Sequence, residues 1–450
     1  MTAHLSASRR HALRNVVWPS ATGRLFLASV VMVATLAQTF GYVTAAVPRW
    51  SSFTVACRES VVLPALVVAI AATVWAWALR PDNVVIGRFP AYGVSQMVGH
   101  ITRTVTISAV SGYLLGLLPL CIRTAAQATF AFIDPLTLCA AVAGLMMVGV
   151  ISVWIGVVMP THWASVAAVV AVLAAAWLPL ALNLTVLANR SSILAPALIW
   201  FNDFPGTGWR VTWQANIFRI ALYLIVTFTA DRLAHSCVDG RRIRIAPDIW
   251  CGSVIAAIAV IATVIHPVTL VESDQSSARC DTYGNGTITI CLHPADESIR
   301  QQTFNLANRF MELTGWNEPI RIVESPVMTA GDVDAVIIDS PSGRADTATV
   351  DITIREGLLA KFAGYDACLR NDGPVSNNDP TAIIRLVHNE LRIRSGGEAI
   401  PIGIDETTGD TVLDPRQNRL RDLDDRRFTE WYVRNRQAIL GCTVTPEALP

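Results

Sequence analysis

The chain has 450 residues, a mean hydropathy of +0.43 and a formal net charge of zero that conceals two opposite halves. Residues 1–269 carry 17 arginines against 7 acidic residues, and residues 270–450 carry 18 basic against 28 acidic, giving +10 and −10. That split excludes a uniformly water-soluble chain, and with no continuous basic face it excludes nucleic acid as a partner.

The first half is read in chain order as membrane spans. A bilayer core of about 30 Å takes roughly 20 apolar residues in a helix. Seven segments meet or approach that length: 25–46, 61–79, 104–122, 136–158, 164–187, 215–230 and 249–266. The sixth holds Arg219 near its start, where a long side chain can snorkel to the interface. Eleven arginines fall in the N-terminal segment and in the loops on its side, from Arg9 to Arg244. Five lie on the other side: Arg49, Arg58, Arg123, Arg190 and Arg210. The positive-inside rule then puts the N-terminus in the cytoplasm and, after seven spans, residues 270–450 outside. The opening arginines, first apolar stretch and "VTAAVP" also fit a signal peptide, and that reading leaves the last domain outside too.

The spans carry almost no ionisable group near mid-membrane, which disfavours proton coupling. No G-x-x-x-x-G-K-[ST] loop is present, and the single lysine, Lys361, stands in "LLAKFAG". Any ATP-driven work therefore needs a separate ATPase. The loop 80–103, with Arg88, Phe89 and Tyr92, is the candidate docking segment for it. The tryptophans 200, 209 and 213 read as an interfacial belt.

The second half reads as a compact α+β domain. Helices are expected over 294–315, with Ile299, Thr303, Leu306, Phe310 and Leu313 inward, over 379–397, with Ile384, Val387 and Leu391 inward, and over 425–440, capped by Asp424 or Asp425. Strands are expected over 320–324, 334–339 and 347–354. "HNELR" at 388–392 lacks the second histidine of a zinc-protease helix and reads as a surface histidine on a solvated face. "SPSGRAD" at 340–346 has turn composition. With no nucleophile, base or metal set in a recognisable pattern, no catalytic residue, cofactor or metal is assigned and the chain is not expected to be an enzyme.

Four cysteines, Cys280, Cys291, Cys368 and Cys442, lie in this domain and read as two disulfides in an oxidising compartment. A hairpin centred on Asn285-Gly286 sets Cys280 opposite Cys291, at a spacing compatible with a bond. The alternative, Cys291–Cys442 with Cys280–Cys368, closes a longer loop, constrains the unfolded chain more, and is preferred on that ground. Cys57 is placed alone in an outer loop.

This layout, with "CLHPAD" opening the outer domain and "WYVRNRQAILGC" closing it, resembles the ABC-2-like integral membrane proteins of actinobacteria. The matching positions are Cys291, Pro294, Trp431 and Cys442, and the resemblance adds to the preference for pairing Cys291 with Cys442. It implies a permease of an ABC transporter, homodimeric or heterodimeric in the plasma membrane, working with a cytoplasmic ATPase. The first expectation is that this permease belongs to an exporter, with the outer domain as a gate or partner-docking cap. It transfers no catalytic residue. The rival expectation is a membrane-anchored receptor or immunity protein whose outer domain binds a peptide or envelope component without transport.

Overall fold

A computed structural model describes residues 20–79, 91–131, 133–159, 161–185, 194, 207–238, 252–257, 269–274, 278–329, 332, 334–364, 380–401, 403–404, 411–412 and 414–450. The chain divides into two compact units, Met1–Thr44 with Pro48–Asp274, and Ala45–Val47 with Gln275–Pro450.

Unit 1 is helical: α1 (Ala21–Thr44), α2 (Trp50–Glu59), α3 (Val62–Ala76), α4 (Ala91–Gln127), α5 (Pro135–Val158), α6 (Thr161–Thr185) and α7 (Trp213–Val238). A two-stranded antiparallel ribbon joins β1 (Trp209–Val211) to β2 (Val271–Ser273). The apolar surface is inverted relative to a water-soluble protein. Leu25 and Phe26 on α1 are each 70 % exposed, and Ile107, Leu115, Leu118 and Ile122 line an open face of α4. Hydroxyls face inward instead, satisfied along their own helices: Thr35 donates to Val31 O (2.9 Å) and Thr39 to Thr35 O (3.0 Å). Such a surface is stable only against lipid or a partner.

Among the described residues, four helical stretches are long and apolar enough to cross a membrane: Ala21–Thr44, Trp50–Ala76, Gln96–Gln127 and Pro135–Val158. The expectation of seven spans is not supported. The fifth expected span corresponds to a shorter apolar stretch, Trp163–Leu178. The sixth is helical as α7, but that helix also carries Arg219, Asp231 and Arg232 and is not among the four. The seventh lies largely outside the described residues, which include only 252–257 of it, a helical turn.

Three further expectations change. Residues 50–59, read as an outer loop around Cys57 and Arg58, form α2, and Ser52 to Arg58 are all buried. The helix of the third span begins at Ala91, so Tyr92 belongs to its first turn and only 80–90 of the proposed docking loop precede it; Arg88 and Phe89 lie outside the described residues. Arg219 does not snorkel, because it is completely buried.

Close helix approach depends on glycine. A Cβ on Gly112 of α4 would stand 2.3 Å from Ala28 O, and one on Gly116 would stand 2.5 Å from Thr35 Cβ and 2.8 Å from Met32 O. The four-residue spacing aligns both glycines against α1, as in small-xxx-small membrane contacts.

Unit 2 is α+β. Its main sheet has the order β3 (Arg279–Tyr283), β4 (Ile288–Leu292), β5 (Ile320–Glu324) and β6 (Val336–Ile338), the first pair antiparallel and the other two parallel. A 3-10 segment, Pro294–Ile299, leads into α8 (Arg300–Thr314). Helix α9 (Thr347–Phe362) follows β6, and α10 (Pro380–Arg394), a short ribbon of β7 (Gly403–Ile404) with β8 (Thr411–Val412), α11 (Gln417–Arg421) and α12 (Asp425–Leu440) complete the unit. The helix begins at Arg300 rather than at 294, but all five residues expected to face inward are buried, Ile299 at the end of the 3-10 segment and the other four on α8, which stops at Gly315, left-handed at φ 58°. Helix α12 has the expected bounds, with Asp424 as its N-cap accepting from Arg427 N (2.8 Å).

Residues 347–354 are helix rather than strand. The alternation of Val350, Ile352 and Ile354 imitates a strand, but Asp346 caps the segment by accepting from Thr349 N (2.8 Å), and Val350, Ile354 and Leu358 then fall on one buried face. The core stacks Phe310 on Phe362, with centroids 5.6 Å apart and planes 11° apart, and sets Trp316 edge-on to Phe362 at 5.4 Å.

The preferred disulfide pairing is overturned. Strand register places Cys280 opposite Cys291, Cα atoms 4.0 Å apart, and the two are bonded, so Cys291 does not pair with Cys442. Adjacency across one ladder decides it, whereas loop length acts only on the unfolded chain. The turn differs in detail: the left-handed backbone falls on Gly284 (φ 60°) and Gly286 (φ 97°). Cys442 also stands in a disulfide; Cys368 lies outside the described residues. The Cys280–Cys291 bond spans a sequence separation of 11. Replacing both cysteines by alanine is expected to cost unit 2 about 2–3 kcal/mol, the chain-entropy value for so short a loop. Denaturant unfolding of the double variant against the oxidised parent, both without reductant so that the disulfide of Cys442 stays intact, measures it, and a double variant as stable as the parent would refute it.

Candidate functional site

Two polar centres are buried within the units. In unit 1, Arg58 of α2 is 2 % exposed and Arg219 of α7 is 0 % exposed, with Tyr113 of α4 and Tyr223 of α7 also fully buried. Arg58 lies within electrostatic reach of both tyrosines and of Arg219. The Tyr113 hydroxyl donates to Cys57 O, and the Tyr42 hydroxyl to Glu59 Oε2 (2.7 Å). A polar network borders them: Asn216 Nδ2 donates to Asp134 Oδ2 (3.1 Å) and to Thr137 Oγ1 (2.8 Å), while Asp134 caps α5 through Leu136 N (3.0 Å). Helices α2, α4 and α7 therefore bring cationic and phenolic groups together inside an otherwise apolar bundle. Charges in such a setting are costly, and where they occur they line substrate or ion paths.

In unit 2 the carboxyl ends of the three parallel strands converge. Glu324 is the last residue of β5, His293 follows β4 and leads into the 3-10 segment bearing Asp296, and Ser340 lies just past β6. Asp296 and Glu324 are both 0 % exposed. Ser340 Oγ lies 2.8 Å from Asp296 Oδ2 and 2.6 Å from Glu324 Oε1, and His293 N–H donates to Glu324 Oε2 (2.7 Å). Burial first, then the charge and hydrogen bond of Asp296, push Glu324 up to about 9, against the opposing pull of Ser340 and the His293 amide. Beside the pair, Arg300 grips Glu297 with two bonds (2.6 and 2.8 Å) and donates to Ile290 O (2.8 Å).

Comparison with family models, with curated proteins and with solved structures gives no match. The site must be read from its own chemistry.

The "HNELR" segment on α10 is not a solvated face. His388 is only 15 % exposed on its side chain and lies 3.3 Å from Glu356. Asn389 exchanges bonds with the Ile400 backbone (2.7 and 3.3 Å), and buried Glu390 binds Arg394 (2.7 Å) and Gln417 (2.8 Å). All three are engaged in holding α10, and among the described residues no group of three or more metal-ligating side chains forms.

Sequence reasoning missed both centres. Arg58 was hidden by a loop assignment, and Tyr113 and Tyr223 by the absence of any motif. Glu324 and Ser340 did carry a signal, since they stand at the end of, or just beyond, the expected strands 320–324 and 334–339; Asp296 carried none, because it fell inside the expected helix 294–315. Ligands and chemistry gather at that edge of parallel sheets.

Proposed function

We propose that the chain is the membrane-embedded permease subunit of an ATP-driven exporter, working as a homodimer or heterodimer with a separate cytoplasmic ATPase. On this reading unit 2 stands outside the membrane as a gate or docking cap. The observation that carries it is the Arg58–Arg219–Tyr113–Tyr223 centre, a cationic group of side chains inside an apolar bundle, where such residues mark a path for cargo. The arginine-rich first half, the lack of a phosphate-binding loop in the sequence and the resemblance to ABC-2-like proteins support the same reading. The receptor or immunity reading draws on a different observation, the complete core and disulfide of unit 2, which equip it to bind a partner without transport.

Purification from native membranes in mild detergent, followed by mass spectrometry of stoichiometric partners, separates the two. A co-purifying P-loop ATPase is expected; an envelope protein or peptide in its place favours the receptor. In the assembled complex, Arg58→Gln and Arg219→Gln are each expected to leave partner association intact and to lower ATP hydrolysis in lipid on the order of tenfold, about 1.4 kcal/mol of lost coupling. Unchanged hydrolysis in both variants removes the centre from the transport cycle.

A further inference from the structure

Ser340 has one hydroxyl proton and two carboxyl neighbours within hydrogen-bond distance, Asp296 Oδ2 at 2.8 Å and Glu324 Oε1 at 2.6 Å. A serine donates once and accepts through its lone pairs, while an ionised carboxylate only accepts. Both contacts are hydrogen bonds only if one of the two acids carries a proton and donates it back to the serine. The setting agrees, since two like charges buried side by side do not both ionise.

We propose that Asp296 and Glu324 hold a single proton through Ser340, and that this proton latches together the carboxyl ends of β4, β5 and β6 as a pH-operated switch in unit 2. With the proton in place, one chain of bonds runs from the 3-10 segment after β4, through the turn after β6, to the end of β5. Its loss leaves two buried anions side by side, and although the His293 N–H still donates to Glu324 and Ser340 to one of the pair, their mutual repulsion is no longer relieved by a proton. The site then relaxes by releasing the turn at Ser340 or the segment bearing Asp296, and either movement uncovers the strand ends.

The neighbouring groups fit this reading. Among the described residues, the titratable side chain acting on Glu324 is Asp296, and His293 contributes its backbone N–H. The His293 imidazole is turned to the chain, its Nδ1 accepting from Ala295 N (3.1 Å). Glu297 and Arg300, on the same stretch as Asp296, neutralise one another, and Arg300 also lies 3.3 Å from Asp281 of β3. Glu324, raised to about 9, supplies the titration range.

The sign follows from proton linkage. The ordinary carboxyl of an unfolded chain titrates near ~4.3, so between there and about 9 the folded unit binds the extra proton. The latch is complete at low pH and is lost as pH rises through the folded value.

The test uses the full-length protein in detergent. Infrared difference spectra between about pH 6 and about pH 10 report protonated carboxyl groups directly, and hydrogen exchange reports the amides of 293, 295, 296, 324 and 338–340. The wild type is expected to lose a protonated-carboxyl band over that range, and those amides to lose protection relative to Glu324→Gln at matched pH. The band is expected to be absent from Glu324→Gln. Ser340→Ala serves if that variant does not fold: its band is expected to persist at an altered frequency, because the hydrogen-bond partner has gone. A wild type with no titrating carboxyl band overturns the proposal. So does a band unchanged in Glu324→Gln, a band unchanged in Ser340→Ala, or protection that runs parallel in wild type and Glu324→Gln.

Discussion

Gly112→Ala, the smallest possible side-chain addition, is expected to destabilise unit 1 by about 2–3 kcal/mol, the cost of overpacking a site that cannot relax. The new Cβ would stand 2.3 Å from a backbone oxygen, Ala28 O, and no rotamer change moves a Cβ. Relief requires α1 and α4 to separate along the seam that Gly116 also serves. The same change elsewhere has the opposite sign. At Gly149 of α5 the added carbon meets only Val105 Cγ1 at 3.3 Å and Val68 Cγ1 at 3.4 Å, two side-chain methyls able to give way. There the helix propensity of alanine over glycine, worth up to about 1 kcal/mol, makes the substitution neutral or favourable. Thermal unfolding in detergent, with the folded fraction read by size exclusion, compares the two. Equal stabilities for both variants would show that α1 and α4 do not meet at Gly112.

Phe362→Ala is the corresponding test in unit 2, with an expected loss of about 3–5 kcal/mol, the range for truncating a buried aromatic. Phe362 is fully buried, stacks on Phe310 and takes Trp316 edge-on. Its backbone oxygen also accepts from the Tyr432 hydroxyl, tying α9 to α12. The cavity would therefore open where α8, α9 and α12 join. Hydrogen exchange within those three helices localises the loss, and Val433→Ala, at an exposed position on α12, is the control expected to stay within about 0.5 kcal/mol. A Phe362→Ala loss below about 1 kcal/mol would place the centre of this core elsewhere.

The helices of unit 2 were legible because amphipathic spacing and capping chemistry are local. Ile299, Thr303, Leu306, Phe310 and Leu313 recur at helical intervals, and Asp424 caps the helix beginning at Asp425. Residues 347–354 were misread where two local signals compete: β-branched alternation suggested a strand, and one capping hydrogen bond, from Thr349 N–H to the Asp346 carboxylate, decided for helix. The disulfide failed differently. The hairpin register that pairs Cys280 with Cys291 was visible, but loop entropy and family resemblance outweighed it. Neither measures which sulfur atoms meet in the folded state.

By itself, the sequence determined the division into an arginine-rich apolar half and an acidic α+β half, the inward faces of α8 and α10, and the bounds and cap of α12. Those properties depend on neighbours within a few residues, or on composition alone. Only the tertiary structure decided that Arg58 and Arg219 meet inside a helical bundle and that Asp296, Glu324 and Ser340 converge at three strand ends. Pairs such as Arg58 and Arg219 are far apart along the chain, and no local rule links them. Their proximity is fixed by helix packing and strand order, and burial is what then turns ordinary side chains into costly, proton-sensitive groups.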